Sequence, residues 1–137
     1  MGRRHIKLTG FYPTIMQKTS CERLETNFLL NTVDTKSKTI NYVIPNQLMA
    51  AYTEKIIDYI VITGEITHDE TIELLFDDIF PVYKKKVATV RIPLLILNML
   101  VINGILYSDN NEDYKLVKSQ VEVREWFDDF FMNVDNK

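Results

Sequence analysis

The residue types that carry most enzyme chemistry are few in this chain and lie far apart. Among its 137 residues there are one cysteine, Cys21, and two widely separated histidines. A single cysteine cannot form an internal disulfide, and no histidine near it in sequence would activate it as a nucleophile. Two distant histidines do not indicate a zinc site. The acid-x-lysine run Asp113-Tyr114-Lys115 is of the type that holds a metal ion and activates water in nucleases.

Two segments near the amino terminus show a family resemblance. The first runs from Gly2 to Pro13 and reads GRRHIKLTGFYP, and the second runs from Leu24 to Leu29 and reads LETNFL. Together they resemble the start of TnsA-type transposon endonucleases, where the second segment is Leu-Glu-Arg-Asp-Phe. The resemblance implies that Glu25 is a glutamate that binds catalytic Mg²⁺ in a nuclease subunit or in a truncated relative of one. It requires a later acid-x-lysine run to complete the metal site, and the candidate is Asp113-Tyr114-Lys115.

A second resemblance lies near the carboxy terminus, in the sequence QVEVREWF from Gln120 to Phe127. Its spacing resembles the PCNA-interacting peptide, or PIP box, of replication and repair proteins. The resemblance implies that Gln120 is a polar anchor and that Val123, Trp126 and Phe127 fill an apolar pocket on a sliding clamp. Phe130 continues the same apolar face. The alternative is an amphipathic helix that packs on the chain's own core, because exposed aromatic side chains favour aggregation.

The charge balance limits nucleic-acid binding to local patches. The chain has 16 Lys and Arg against 19 Asp and Glu, a formal net charge of −3, so it is not a general polyanion binder. Basic residues are grouped at the start, in the middle and in one predicted strand. The predicted contacts to the backbone of double-stranded DNA are Arg3, Arg4, Lys84, Lys85, Lys86, Arg91 and Lys115.

The elements that would position these residues fall into three segments. Residues 1–45 are predicted to be an irregular basic segment with a short helix from Arg23 to Leu30 and a strand from Thr39 to Ile44. Residues 46–118 are predicted to form a winged-helix-like domain, and residues 119–137 an acidic amphipathic helix that extends to about Val134. Asn46 is expected to cap the first helix of the domain, which ends near Ile62.

The rest of the predicted winged-helix-like domain follows from capping and turn signals. Thr67-His68-Asp69-Glu70 matches a capping box at the start of a second helix, which Pro81 should stop, and His68 is expected to be solvated. A third helix is predicted from about Thr89 to Ile102, with Gly104 in the left-handed position after it. Two strands around a polar turn then predict a hairpin. Three helices followed by a hairpin is the winged-helix order, and the fold class is mainly α with a small β-hairpin.

The third helix is too apolar for an ordinary base-reading helix. From Leu94 to Ile102 only Asn98 is polar, and a helix that is apolar all round is buried on more than one side. The domain is therefore predicted to be a scaffold, with DNA contacts made by its basic flanks.

These patterns predict a non-catalytic adaptor in DNA transactions such as replication, transcription or transposition, with no metal or cofactor. Its predicted partner is a protein such as a sliding clamp or polymerase subunit. Two alternatives stay open: a subunit or truncated relative of a TnsA-like endonuclease, and a viral host-interaction protein that binds no nucleic acid. The abundance of Ile, Asn, Lys, Asp and Tyr is typical of an AT-rich viral or archaeal genome. An intracellular, soluble protein is expected, because no signal peptide or bilayer-length apolar run occurs.

Overall fold

The amino-terminal part of the chain forms an antiparallel sheet. The computed structural model describes residues 4–6, 19–24, 26–33, 38–110 and 112–132. The four strands of the sheet are neighbours in chain order, and they are β1 (Arg4–Ile6), β2 (Thr19–Arg23), β3 (Asn27–Val33) and β4 (Thr39–Pro45).

The helix predicted from Arg23 to Leu30 is wrong, because Arg23 ends β2 and residues 27–30 belong to β3. Phe28 and Leu30 are both fully buried, and side chains two residues apart share a face only in a strand. Phe28 lies opposite Ile44 in the register of β3 and β4. The predicted strand from Thr39 to Ile44 is confirmed as β4.

The first helix, α1 (Asn46–Thr63), confirms the prediction of a helix from Asn46 to about Ile62. Its start differs by one residue: Pro45 occupies the N-cap position without a side-chain cap, so Asn46 is the first helical residue and not the cap. Gly64 ends the helix in the left-handed conformation and donates its backbone N–H to the Ile60 carbonyl at 2.7 Å.

The second helix, α2 (His68–Tyr83), begins with the predicted capping box. The Thr67 hydroxyl accepts from the Glu70 N–H at 3.1 Å, and the Glu70 carboxylate accepts from the Thr67 N–H at 2.9 Å. The helix continues past Pro81, the predicted stop, because a proline in the last turn removes only one backbone hydrogen bond. It ends at Lys84, whose φ of 56° is left-handed.

The third helix, α3 (Lys86–Ile102), begins three residues before the predicted start and lies at the centre of the molecule. All residues in the range Ile92 to Leu100 are buried, because α2 packs against one side of the helix and strands β1 and β2 against another. Asn98 is only 1% exposed. The prediction that this helix is buried on more than one side is confirmed, and its middle cannot reach the bases of DNA.

A second, smaller sheet follows α3. It contains β5 (Ile66–Thr67) from the turn between α1 and α2, and the hairpin β6 (Leu106–Tyr107) and β7 (Asp113–Leu116). The strand order is β5-β7-β6, all antiparallel. This confirms the predicted hairpin, and Gly104 before it has the predicted left-handed backbone, with φ of 73°.

The chain ends in α4 (Gln120–Phe127), which continues as one π-helical turn over Asp128–Met132. The last predicted helical residues, 133 and 134, lie outside the described residues. One apolar core contains side chains from the amino-terminal sheet, the three central helices, the small sheet and the terminal helix. The protein is therefore mainly helical with small antiparallel sheets, and none of its described helices is long and apolar enough for a bilayer span.

A buried histidine joins α2 to the small sheet. His68 is 2% exposed, so the expectation that it is solvated is wrong. Its Nε2 lies 3.0 Å from the Tyr114 hydroxyl, and the two rings are 5.2 Å apart. Burial lowers the pKa of His68 below its ordinary value of 6.5, and the carboxylates of Asp69 and Asp113 oppose that shift. Burial also raises the pKa of Tyr114 to about 12.

We expect protonation of His68 to destabilise the fold. Because the folded-state pKa is the lower one, the unfolded chain binds a proton first as the pH falls below about 6.5. The stability that neutral His68 contributes is therefore complete above this pH and is lost as the pH falls through the folded-state pKa. Urea unfolding between about pH 7.5 and pH 5 measures the effect. The His68→Phe variant should lack this dependence, and an equal slope in the variant would assign it to another group.

Candidate functional site

The terminal helix is positioned by a second capping box. The Ser119 hydroxyl accepts from the Glu122 N–H at 3.2 Å, and the Glu122 carboxylate accepts from the Ser119 N–H at 3.2 Å. The bonds that the Ser119 N–H and hydroxyl donate to the Glu122 carboxylate lower the pKa of that carboxyl group. The box fixes the start of α4, so the residues that follow at helical spacing face α1.

An aromatic cluster holds α4 against the rest of the molecule. Phe127 and Phe131 are buried, and Phe131 lies 5.5 Å from the ring of Phe28 in the amino-terminal sheet. Trp126 and Phe130 are half-buried and stack on each other at 4.9 Å. In a chain of this length such a cluster is a substantial part of the core.

Of the three predicted plugs of a clamp pocket, Val123 and Phe127 are therefore buried and Trp126 is half-buried, whereas the predicted polar anchor lies at the surface. Val123 is 2% exposed and Phe127 is 5% exposed, both packed on the chain itself, whereas Gln120 is exposed. A clamp can receive Val123 and Phe127 only if α4 first leaves the core. Of the two interpretations of this segment, the amphipathic helix packed on the chain's own core describes this structure.

A pocket of about 210 Å³ lies between α4 and α1. Each helix contributes a row of four residues at the spacing of one helix face. The α1 row is Glu54, Ile57, Asp58 and Val61, and the α4 row is Gln120, Val123, Arg124 and Phe127. We call this pocket the α1–α4 groove; its wall is apolar and its rim is polar and charged.

The rim of the α1–α4 groove is acidic. Arg124 donates to the Glu54 carboxylate at 2.9 Å, lies 3.7 Å from the Asp128 carboxylate, and sits 4.9 Å from the centre of the Phe127 ring. The bond to Glu54 raises the pKa of Arg124. Asp58 forms no ion pair with any residue that the structure describes. Its charge nevertheless acts on Arg124, so this one arginine faces three carboxylates and the rim keeps a net negative charge.

The residues predicted to contact DNA do not form one patch. Lys84, Lys85 and Lys86 are exposed together between α2 and α3. Arg91 is half-buried, with its Nε enclosed and without a hydrogen-bond partner among the described residues. Lys115 lies in β7, 3.8 Å from the Glu65 carboxylate.

The structure does not describe the side chains of the two predicted arginines near the amino terminus. Arg4 is in β1, where only its backbone is described, and Arg3 lies outside the described residues.

The structure describes only part of the residues that carry the nuclease resemblance. Glu25 lies outside the described residues. In the acid-x-lysine run, Asp113 accepts from the Asn110 side-chain amide at 3.1 Å, and Lys115 pairs with Glu65 as described above. The part of the chain that the structure describes holds no group of three or more His, Cys, Asp or Glu side chains arranged for a metal ion.

The acidic half of the groove was not anticipated from the sequence. Glu54, Asp58 and Val61 each directly follow a buried residue of α1, so they repeat the spacing of the buried face on the neighbouring face of the helix. Their spacing marks a helix face, but it does not show that a second helix lies beside them. The meeting of the two helices depends on where α4 packs.

We expect Phe127→Ala to cost about 3 kcal/mol or more of unfolding free energy, the usual range for a phenylalanine removed from a core. Val121→Ala in the same helix is the matched control, since Val121 is 70% exposed and should change stability by less than about 0.5 kcal/mol. Urea unfolding measures both. A Phe127→Ala protein with unchanged stability would mean that α4 is a detachable peptide, as the clamp resemblance implies.

No protein-family model, no curated protein and no solved structure matches this chain. The function has to be inferred from the groove and the charged surfaces of the molecule.

Proposed function

We propose that this protein is a non-catalytic adaptor in DNA transactions and that it binds a basic, amphipathic segment of a partner protein in the α1–α4 groove. The observation that carries the proposal is the groove itself, whose wall is apolar and whose rim is acidic. Helix pairs with an open apolar seam commonly receive a partner segment in this way. The adaptor thus acts as the receptor in this complex.

The chemistry of the partner follows from the groove. Ile57, Val61 and Phe127 offer apolar surface to an anchoring side chain, and Asp58 offers a carboxylate to a cation beside it. An apolar cavity of roughly 150 Å³ holds a benzene ring, so the groove accommodates one large apolar side chain. The expected ligand is a peptide in which Lys or Arg neighbours Leu, Met or Phe.

The proposal keeps the predicted partner class, a sliding clamp or polymerase subunit. It differs in that the partner inserts a segment into this protein, whereas the sequence predicts that this protein inserts its terminal helix into the partner. Gln120, Val123 and Phe127 line the groove instead of inserting into a pocket on the partner. The core packing of α4 then stays intact on binding. No local unfolding has to be compensated by the binding energy.

We infer that residues 46–118 form a winged helix that serves as a scaffold. The inference is supported by the element order, in which α1, β5, α2 and α3 precede the hairpin of β6 and β7. It is also supported by the sheet order β5-β7-β6, in which the short strand between the first two helices pairs with the last strand. The cover of β1 and β2 over α3 favours a scaffold over a base-reading domain.

Peptide display against the purified protein tests the groove. We expect selected peptides to contain a cation next to a large apolar residue. Asp58→Lys should weaken binding of the best peptide about tenfold or more, because it replaces an attraction by a repulsion. Val61→Glu should also weaken it, because a carboxylate then replaces part of the apolar wall. Isothermal titration calorimetry measures both variants.

The matched control is Asp77→Lys, the same charge reversal at an exposed acid of α2, outside the groove. It should leave peptide affinity within about twofold, since exposed charges distant from a site are screened. Two results would contradict the groove as the partner site: selected peptides that are acidic, or peptides whose affinity is the same for the Asp58→Lys and Val61→Glu variants as for the wild-type protein.

A second activity, binding to the DNA backbone, is favoured by the connector of Lys84, Lys85 and Lys86. All three lysines are exposed, and none forms an ion pair with a described residue. We expect a short duplex to be bound weakly and with strong salt dependence. Replacing the three lysines by alanine should reduce the slope of log affinity against log salt by about 0.9 for each phosphate that the variant no longer neutralises.

Lys118→Ala is the control for the DNA measurement, because Lys118 is an exposed lysine next to α4. It should leave the salt slope unchanged. If the wild-type protein binds no duplex at low salt while the groove binds peptides, the adaptor acts outside DNA transactions, as in the host-interaction alternative.

A further inference from the structure

We propose that two copies of this chain associate through an antiparallel pairing of their α2 helices around a twofold axis. The surface involved is a row that we call the α2 stripe: Asp69, Glu73, Phe76 and Phe80. All four side chains are exposed. Their spacing of four, three and four residues places them on one face of the helix.

The centre of the α2 stripe is an exposed aromatic pair. Phe76 and Phe80 are each 38% exposed, and their rings stack at 5.5 Å with an angle of 6° between the planes. Val82 and Val87 nearby are 50% and 42% exposed. Aromatic side chains clustered in this way on a helix surface are typical of protein contact sites.

The two ends of the α2 stripe carry opposite charges. Asp69 and Glu73 lie at the amino-terminal end, and Lys84, Lys85 and Lys86 follow the helix at the other end. None of these five charges forms an ion pair within the described part of the molecule.

This arrangement is complementary to itself when reversed. With a twofold axis midway between Phe76 and Phe80, each phenylalanine lies opposite the other phenylalanine of the second copy. Glu73 then lies opposite the end of the second α2, within about one helical turn of Lys84. A parallel pairing would instead place acids against acids and lysines against lysines. An isologous interface of the reversed kind is the commonest way in which soluble proteins dimerise.

The backbone at Lys84 gives additional support. Its left-handed φ of 56° ends α2, a position at which glycine avoids a cost of about 1 kcal/mol. A lysine at this position costs stability, and the charge it carries at the end of the stripe gives a reason for its presence.

The pairing goes beyond the proposed adaptor function and does not use the α1–α4 groove. It does use the lysines of the connector, so a second copy and a DNA backbone compete for them. Binding of peptides in the groove is therefore expected to be the same in the monomer and in the pair. The groove proposal and the pairing proposal can thus fail independently of each other.

Analytical ultracentrifugation over a dilution series tests the pairing with charge-reversed variants. We expect the wild-type protein to dimerise, and Phe76→Ser with Phe80→Ser to be monomeric. Glu73→Lys alone, and Lys84→Glu with Lys85→Glu, should each weaken the dimer about tenfold or more, since each replaces two attractive interactions by repulsive ones. An equimolar mixture of these two charge variants should form a heterodimer of about wild-type affinity, because every pairing across the axis is again between opposite charges.

Ile62→Ser is the matched control, since Ile62 is 83% exposed on α1, and it should dimerise like the wild-type protein. Circular dichroism of each variant verifies that it is folded. A wild-type protein that stays monomeric at all concentrations would overturn the proposal. So would dimerisation that is unaffected by the stripe variants, or charge variants that do not rescue each other. If the protein is monomeric and its connector lysines bind duplex DNA, these lysines serve nucleic-acid binding and not dimerisation.

Discussion

An α-helix that is apolar around its whole circumference has to be surrounded by other elements, because its surface would otherwise cause aggregation. In this protein α3 imposes that constraint. Helix α2 covers one of its sides, and the antiparallel sheet of residues 4–45 covers another. The sheet is thus part of the core although its strands are only three to seven residues long. In the winged helix that we propose, this cover lies over the helix that would otherwise read DNA.

The need to bury apolar side chains also explains where the terminal helix packs. The ring of Phe28 in the sheet is covered by the rings of Phe130 and Phe131, which lie 5.6 and 5.5 Å from it. The helix that carries these rings lies beside α1, and the α1–α4 groove is the space between the two helices that side chains do not fill. The segment whose spacing resembles a clamp-binding peptide is packed on the core in this structure and forms one side of the groove. Its exposed residues and those of α1 form the acidic rim.

Charges of one sign are grouped on particular elements of the surface. Acids are grouped on the rim of the α1–α4 groove and at the amino-terminal end of the α2 stripe, where Asp69 and Glu70 also interact favourably with the helix dipole. Three lysines stand together at the short connection between α2 and α3. A small net charge therefore conceals two surfaces of opposite charge, and the proposed ligands differ accordingly: a cationic peptide for the groove, and an acidic or phosphate-bearing surface for the connector.

The sequence alone determined the elements that depend on neighbouring residues. The capping box at Thr67, the length of α1, the turn at Gly104 and the hairpin after it were all predictable, because their hydrogen bonds join residues a few positions apart. Only the tertiary structure decided that residues 27–33 are a strand, that His68 is buried and that Phe127 faces the core. Apolar spacing in a short segment fits several structures, and distant partners select among them. The groove has the same origin, since its two rows lie more than fifty residues apart and meet only through packing.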